Sequence, residues 1–207
     1  MVNEKTGENA INIIPGAAGT LTNDDIDRNL NFIAKAEIFL TQLETPYKVT
    51  SYALKKAKEK GLATILNPAP ACKIKDDDFD LIDFFTPNET EAEFYLNKKI
   101  ETEKDIKNAS EEFLKKGIKN IVITLGEKGC YFANKKENFF VEAFKLKDPV
   151  LDTTGAGDAF NGALAVGLSK DLDIKEVLTF ANKVAAISTT KQGAAASMPS
   201  MEDLKNY

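Results

Sequence analysis

Asp158 follows a Gly155-Ala156-Gly157 turn, where the stretch DTTGAGDAFNG (Asp152 to Gly162) passes into small apolar residues. Glycines at 155 and 157 let the backbone take positive φ and approach a ligand with no Cβ in the way. The helix that follows aims its unpaired N–H groups and positive dipole end at the turn, which makes an anion site. A carboxylate in that first helical turn stands where it can take the proton of a hydroxyl attacking a phosphoryl group. The same residues also fit a plain glycine turn whose Asp stabilises a helix start, and physics alone leaves both readings open. The spacing is neither GxGxxG nor GxxxxGK[ST], so the common nucleotide motifs do not account for it.

The rest of the composition narrows the chemistry. The chain has no histidine, so any general base is a carboxylate, Lys, Tyr or Cys, and Ser–His hydrolysis is excluded. Cys72 and Cys130 stand in no CxxC spacing, which argues against a zinc site or disulfide framework and for a reducing, cytoplasmic setting. Neither cysteine is given a role. A net charge of −5 with scattered lysines points away from nucleic acid and anionic membranes as partners. No apolar run approaches the roughly 18 residues of a membrane span, and the polar start MVNEKTGENAI does not resemble a signal peptide.

The elements that must position Asp158 alternate between strand and helix. Strands are expected over Ala10–Ile14, Glu37–Leu40, Ala63–Leu66, Leu81–Phe84 and, most strongly, Asn120–Thr124. A helix is expected in residues 20–36, with Thr22 and two aspartates at its start. Another follows Thr45 as cap and Pro46 as first helical residue, and stops at Gly61. A third runs through TEKDIKNASEEFLKKG to Gly117. GCYFANKKENFFVEAF reads as strand, polar turn, strand, hence an antiparallel hairpin at a sheet edge. Gly157–Ser169 and Ile174–Thr190 read as two helices rich in small residues. This is an α/β chain of βαβ units around a mainly parallel sheet, one domain at 207 residues, with no internal repeat or linker.

Six stretches in order carry a family resemblance. DTTGAGDAFNGA resembles a signature of the ribokinase-like sugar kinases, the family also named after phosphofructokinase B. QLETP (Gln42–Pro46), NPAPA (Asn67–Ala71), TPNETEAE (Thr86–Glu93), ITLGEKG (Ile123–Gly129) and KQGAAASMP (Lys191–Pro199) agree with it. QLETP and NPAPA tilt the resemblance toward the ribokinases within that family. It runs from about Gly7 to the C-terminus and implies a three-layer α/β/α fold.

The resemblance implies roles residue by residue. Asp158 matches the base that deprotonates the sugar hydroxyl, and Gly155, Ala156 and Gly157 match the anion hole. Asn88 and Glu91 match a motif that organises the ATP phosphates and Mg²⁺ through water. Pro87-Asn88-x-x-Glu91 before an apolar run is also a capping box, and the two roles are compatible. Thr124, Leu125, Gly126, Glu127, Lys128 and Gly129 match a loop lying along the nucleotide, or else form a glycine-bounded turn into the hairpin. Asn182 matches a position near adenine, and as a lone helical Asn would otherwise lie at the surface. Glu44 matches a sugar-contacting carboxylate. Asp152, Thr154, Ser188, Lys191, Gly193 and Ser197 match loops around an activating K⁺, held mostly by carbonyl oxygens.

The implied reaction moves the ATP γ-phosphoryl group to the 5-hydroxyl of ribose. Fructose, a deoxy sugar or a nucleoside is the alternative acceptor, and a non-catalytic nucleotide-binding remnant is the alternative of another class. The family's first strands, its β lid and its glycine-rich sugar motif have no counterpart here, so the chain reads as the C-terminal two-thirds of such a kinase. It is therefore expected to phosphorylate ribose poorly, to retain weak nucleotide binding and to self-associate through exposed apolar edges. The resemblance further implies homodimers, which complete ribokinases commonly form through their lids.

Overall fold

The computed structural model of the chain describes residues 14–170 and 172–207. The expected strand Ala10–Ile14 lies, save for Ile14, outside them. Six strands form one sheet in chain order: β1 (Ile38–Thr41), β2 (Ala63–Leu66), β3 (Phe84–Phe85), β4 (Asn120–Thr124), β5 (Cys130–Asn134) and β6 (Asn138–Val141). The first four run parallel, with Ile38 opposite Ala63, Ile65 opposite Phe84 and Phe85 opposite Ile121. β5 returns antiparallel on β4, Thr124 facing Cys130, and β6 completes the hairpin edge that the sequence implies.

Parallel neighbours need crossover connections, and helices supply them. α3 (Tyr47–Glu59) joins β1 to β2; α4 (Glu89–Leu96) and α5 (Glu103–Lys115) join β3 to β4. They follow two short helices, α1 (Asn23–Arg28) and α2 (Leu30–Ile33). Apolar residues recur at helical spacing, Val49, Ala53, Leu54 and Ala57 on α3, Ile106, Ala109 and Phe113 on α5, so each helix buries one face. Leu54 of α3 and Ile106, Ala109 and Phe113 of α5 meet Leu66, Phe85, Ile121 and Ile123 of the sheet in one apolar cluster. At its centre the rings of Phe85 and Phe113 lie 5.2 Å apart, with Tyr95 edge-on to both.

The amino-terminal ends of these strands are tied by a charge. The Asp83 carboxylate accepts from Lys58 (2.8 Å), Lys119 (2.7 Å) and the Thr64 N–H (3.0 Å), joining α3, β2, β3 and β4. Burial alone would raise its pKa; the bonds from Lys119 and Lys58 outweigh that and hold it below the ordinary carboxylate range. This knot also shifts a strand. β3 begins at Phe84 rather than Leu81, because the acidic run Asp76–Leu81 winds into a 3-10 helix.

Two other expectations need the same kind of correction. The helix expected across residues 20–36 is interrupted at Asn29, whose side chain bonds the Asp25 carbonyl (2.8 Å) and leaves two short pieces. Thr45 does not cap α3: the cap is Pro46, and the Thr45 hydroxyl pairs with Thr50 at 2.7 Å. Gly61 and Gly117 stop α3 and α5 with φ of 82° and 107°, as their positions suggest.

The chain divides into two compact units, the first being Pro15–Gly126 with Cys130–Phe140. The second contains Glu127–Gly129 and Val141–Tyr207. In it α6 (Ala156–Leu168) and α7 (Ile174–Ser188) pack closely, since a Cβ on Gly167 would sit 2.8 Å from Val177 Cγ1. Gly129, at φ 94°, leaves no room for a side chain: its Cβ would lie 2.1 Å from the Val141 carbonyl oxygen. Asp152, buried at 3% exposure, brackets two loops by accepting from the N–H groups of Thr154 and Gly193, each at 2.9 Å. The Thr154 side chain first, then the Gly193 and Thr154 backbone, holds the Asp152 carboxyl below its ordinary pKa.

Two outcomes follow. Phe113→Ala is expected to cost about 3–5 kcal/mol in denaturant unfolding, whereas Phe32→Ala, 77% exposed on α2, stays within about 0.5 kcal/mol. Asp152 binds its proton more weakly folded than unfolded, so its stabilisation is complete above the unfolded value near 3.9 and is lost as pH falls through the lower folded one. Melting temperatures taken from pH 6 down to pH 3 should therefore fall less steeply for Asp152→Asn than for the parent, and parallel curves would refute this bracket.

Candidate active site

In a parallel sheet every loop that leaves a strand at its carboxyl end opens on the same side. In the first unit these loops carry Glu44 after β1, Asn67 at the end of β2, Asn88 and Glu91 after β3, and Thr124 at the end of β4. Glu44 is exposed, in a loop held to the NPAPA loop by the Leu43 N–H, which donates to the Ala69 carbonyl (2.9 Å). That second loop contains the cis bond Ala69–Pro70.

Asn88 and Glu91 form the expected capping box. Asn88 Oδ1 accepts from the Glu91 N–H and the Glu91 carboxylate accepts from the Asn88 N–H, both at 2.8 Å. Thr124 joins them, bridged to Asn88 and donating from its N–H to the Pro87 carbonyl (3.0 Å). Burial pushes the Glu91 carboxyl upward, and the Asn88 N–H offsets only part of that. A half-buried carboxylate with one backbone donor suits water-mediated contact with a hard cation such as Mg²⁺. Leu125 is buried, while Gly126, Glu127 and Lys128 form an exposed 3-10 turn between β4 and β5. Of the loop Thr124–Gly129, the first three residues belong to the first unit and the last three to the second.

The second unit gathers the remaining candidates. Gly155 caps the 13-residue α6 at φ 79°, a left-handed position that needs glycine. A Cβ there would approach Met198 Cε to 3.1 Å and Ala194 Cα to 3.4 Å, so the turn leans on the 193–198 loop. Ala156, Gly157 and Asp158 open the helix, with Gly157 and Asp158 exposed. Only Gly155 has the positive φ expected of both glycines; Gly157 is helical, with open space where a Cβ would stand. The geometry is an exposed N-terminal turn with a carboxylate at its third position, a donor surface for an anion beside a possible base.

Around this turn the Asp152 bracket brings Asp152, Thr154 and Gly193 together. Ser188 and Ser197 turn their hydroxyls to carbonyls within their own segments, those of Ala185 and Ala194, each at 2.7 Å. Lys191 points elsewhere, pairing with Asp203 at 3.1 Å. Among the described residues no lysine or arginine pairs with the buried Asp152 carboxylate, a negative site compatible with a bound monovalent cation. Asn182 is not at the surface: it is 7% exposed, and Nδ2 donates to the carbonyls of Val141 (3.2 Å) and Glu142 (3.1 Å). It thus grips the backbone segment against which Gly129 packs. Among the described residues no helix is long and apolar enough to cross a membrane.

Residues 1–201 match the pattern of the pfkB family carbohydrate kinases. Over 199 residues the chain is 39% identical to a ribokinase of Staphylococcus aureus, covering 96% of this chain and 65% of that one. It is 36% identical to a deoxyribokinase of Salmonella typhimurium over 200 residues, with the same coverage of 96% and 65%. The crystal structure of ribokinase from Thermotoga maritima superposes with a TM-score of 0.84 at 38% identity, over 98% of this chain and 66% of that one. That of Arabidopsis thaliana ribokinase complexed with ribose and ATP gives 0.83 at 30% identity, over 87% and 58%. The chain thus spans 65% of the length of the S. aureus relative. With the six-stranded sheet, its antiparallel edge and the glycine-capped α6 in place, the match over residues 1–201 means that the chain belongs to the pfkB family of carbohydrate kinases.

Proposed function

We propose that the chain carries the phosphoryl-transfer half of an ATP-dependent sugar kinase acting on the 5-hydroxyl of ribose. The observation that carries this reading is the α6 N-terminus: a left-handed Gly155 cap, open space beside Gly157 and an exposed Asp158 in the first turn. Asp158 takes the proton of the attacking hydroxyl as the sugar oxygen bonds to the γ-phosphorus. The N–H groups of Gly155 and Gly157 face the oxygens on which charge builds, while that of Ala156 donates to the Thr153 carbonyl (3.2 Å). Asn88 and Glu91 hold Mg²⁺ through water, and this ion, when bound with ATP, neutralises the β- and γ-phosphates. The Thr124–Gly129 loop and Asn182 flank the nucleotide. Glu44 contacts the sugar, as its exposed place after β1 allows. Asp152 and the carbonyls of Thr154, Ser188, Lys191, Gly193 and Ser197 take K⁺.

Likeness to ribokinases supports ribose, and likeness to a deoxyribokinase favours deoxyribose as a second acceptor. Transfer of label from [γ-³²P]ATP to ribose, followed over hours, is expected from the chain and should drop at least a hundredfold in Asp158→Asn. Undiminished transfer would remove Asp158 as base, and a preference for 2-deoxyribose in direct competition would change the acceptor. In a separate calorimetric titration with ATP, Glu91→Gln should raise the Mg²⁺ concentration needed for half-maximal nucleotide binding severalfold, and an unchanged Mg²⁺ dependence would exclude Glu91 from the metal's surroundings.

A further inference from the structure

β2 passes to β3 through a loop and the 3-10 turn Asp76–Leu81, whereas α-helices join the other parallel pairs. Side chains of the flanking helices fasten this connection. Tyr47, the first residue of α3, accepts at its hydroxyl from the Lys75 N–H (2.8 Å) and donates to the Asp78 carboxylate. Ser51, one turn further along α3, donates to the same Asp78 oxygen (2.8 Å). Burial first, then the bond to Asp78, pushes the Tyr47 phenol up, so it keeps the proton that Asp78 accepts. From α4, the Tyr95 hydroxyl accepts from the Cys72 N–H (3.4 Å) and holds the start of the same segment.

The fastening works in both directions, and on the α3 side it holds a helix start. Pro46 caps α3 without a side-chain cap bond, and the Thr45–Thr50 hydroxyl pair (2.7 Å) is a tie within the same segment. The Tyr47 hydroxyl adds a tie to a different element, the connection that runs under the next loop. Glu44 stands exposed three residues before Tyr47, in the loop after β1. On the reading proposed above, on which this inference rests, Glu44 contacts the sugar. We infer that Tyr47 is a positioning residue for the acceptor: its hydroxyl, held by Lys75 and Asp78, fixes the first turn of α3 and with it the place of Glu44. It acts through Glu44 and takes no part in proton transfer. A small displacement of a substrate-holding group is enough to weaken its contact.

The test uses the full chain in the label-transfer assay, with ribose and ATP varied separately. Tyr47→Phe keeps the ring and removes only the hydroxyl. It should raise the ribose KM about fivefold while kcat and the ATP KM stay within about twofold of the parent, the pattern of a lost ground-state contact. Asp78→Ala should do the same, and the double variant should go no further than either single one, because the two groups form one link. Asp78→Asn, which keeps an acceptor oxygen for the Tyr47 hydroxyl, should restore the parent's ribose KM. Tyr52→Phe controls for α3 itself: it removes a hydroxyl bond from the same helix, to Asp27 (2.7 Å), and should leave the ribose KM unmoved. An equal rise in Tyr52→Phe, ribose and ATP KM rising together in Tyr47→Phe, or additive effects of Tyr47→Phe and Asp78→Ala overturns the inference. If the parent chain transfers no label to ribose, the kinase reading fails and the inference with it; if the parent transfers label and Tyr47→Phe matches it, the inference fails alone.

Discussion

Four strands running the same way constrain everything else in this protein. Parallel pairing from Ile38–Ala63 through Phe85–Ile121 forces each connection to cross over the sheet, so each carboxyl end is followed by a loop and each amino end is preceded by one. The two rims then part company chemically. Asp83 cross-links the amino rim to two lysines and a backbone N–H. The carboxyl rim carries an exposed Glu44, the Asn88–Glu91 box and a hydroxyl at Thr124. The apolar cluster of Phe85, Phe113 and Ile121 lies under both and holds their spacing.

The second unit solves a different problem, that of holding a turn open. α6 starts without a side-chain cap bond, so its first N–H groups are left to other partners. Its stability comes from behind. Gly155 leans on Ala194 and Met198, Asp152 clasps Thr154 to Gly193, and Gly167 lets α7 approach through Val177. Asn182 and Gly129 do the same for the segment after β6, one by bonding its carbonyls and the other by having no side chain.

Local chemistry was legible in the sequence; burial was not. The Asn88–Glu91 box, the Thr22 cap and the glycine stops at 61 and 117 depend on residues a few positions apart, and all form as their spacing implies. Family motifs marked the α6 turn because its glycines and Asp158 are contiguous. Two misses are local, the helix break at Asn29 and the Thr45 hydroxyl that turns to Thr50, and the others involve partners distant in the chain. Asn182 reads as a surface residue until Val141 and Glu142, some forty positions earlier, fold against it. Leu81 reads as strand until the acidic run beside it winds up, leaving Asp83 to meet Lys58 and Lys119.

The separation of the two rims bears on how such a protein can change. The loops after β1 and β2 hold each other, the Leu43 N–H donating to the Ala69 carbonyl, and reach the aromatic cluster through Leu43 and the Cys72 N–H, which donates to the Tyr95 hydroxyl, while the Asp83 knot lies at the other rim. Variation at the exposed Glu44, in the first of these loops, therefore leaves the Asp83 knot untouched. Substitutions can accumulate at one end of the sheet while the other keeps the charge that ties the strands together, and the architecture makes the protein evolvable along a single edge.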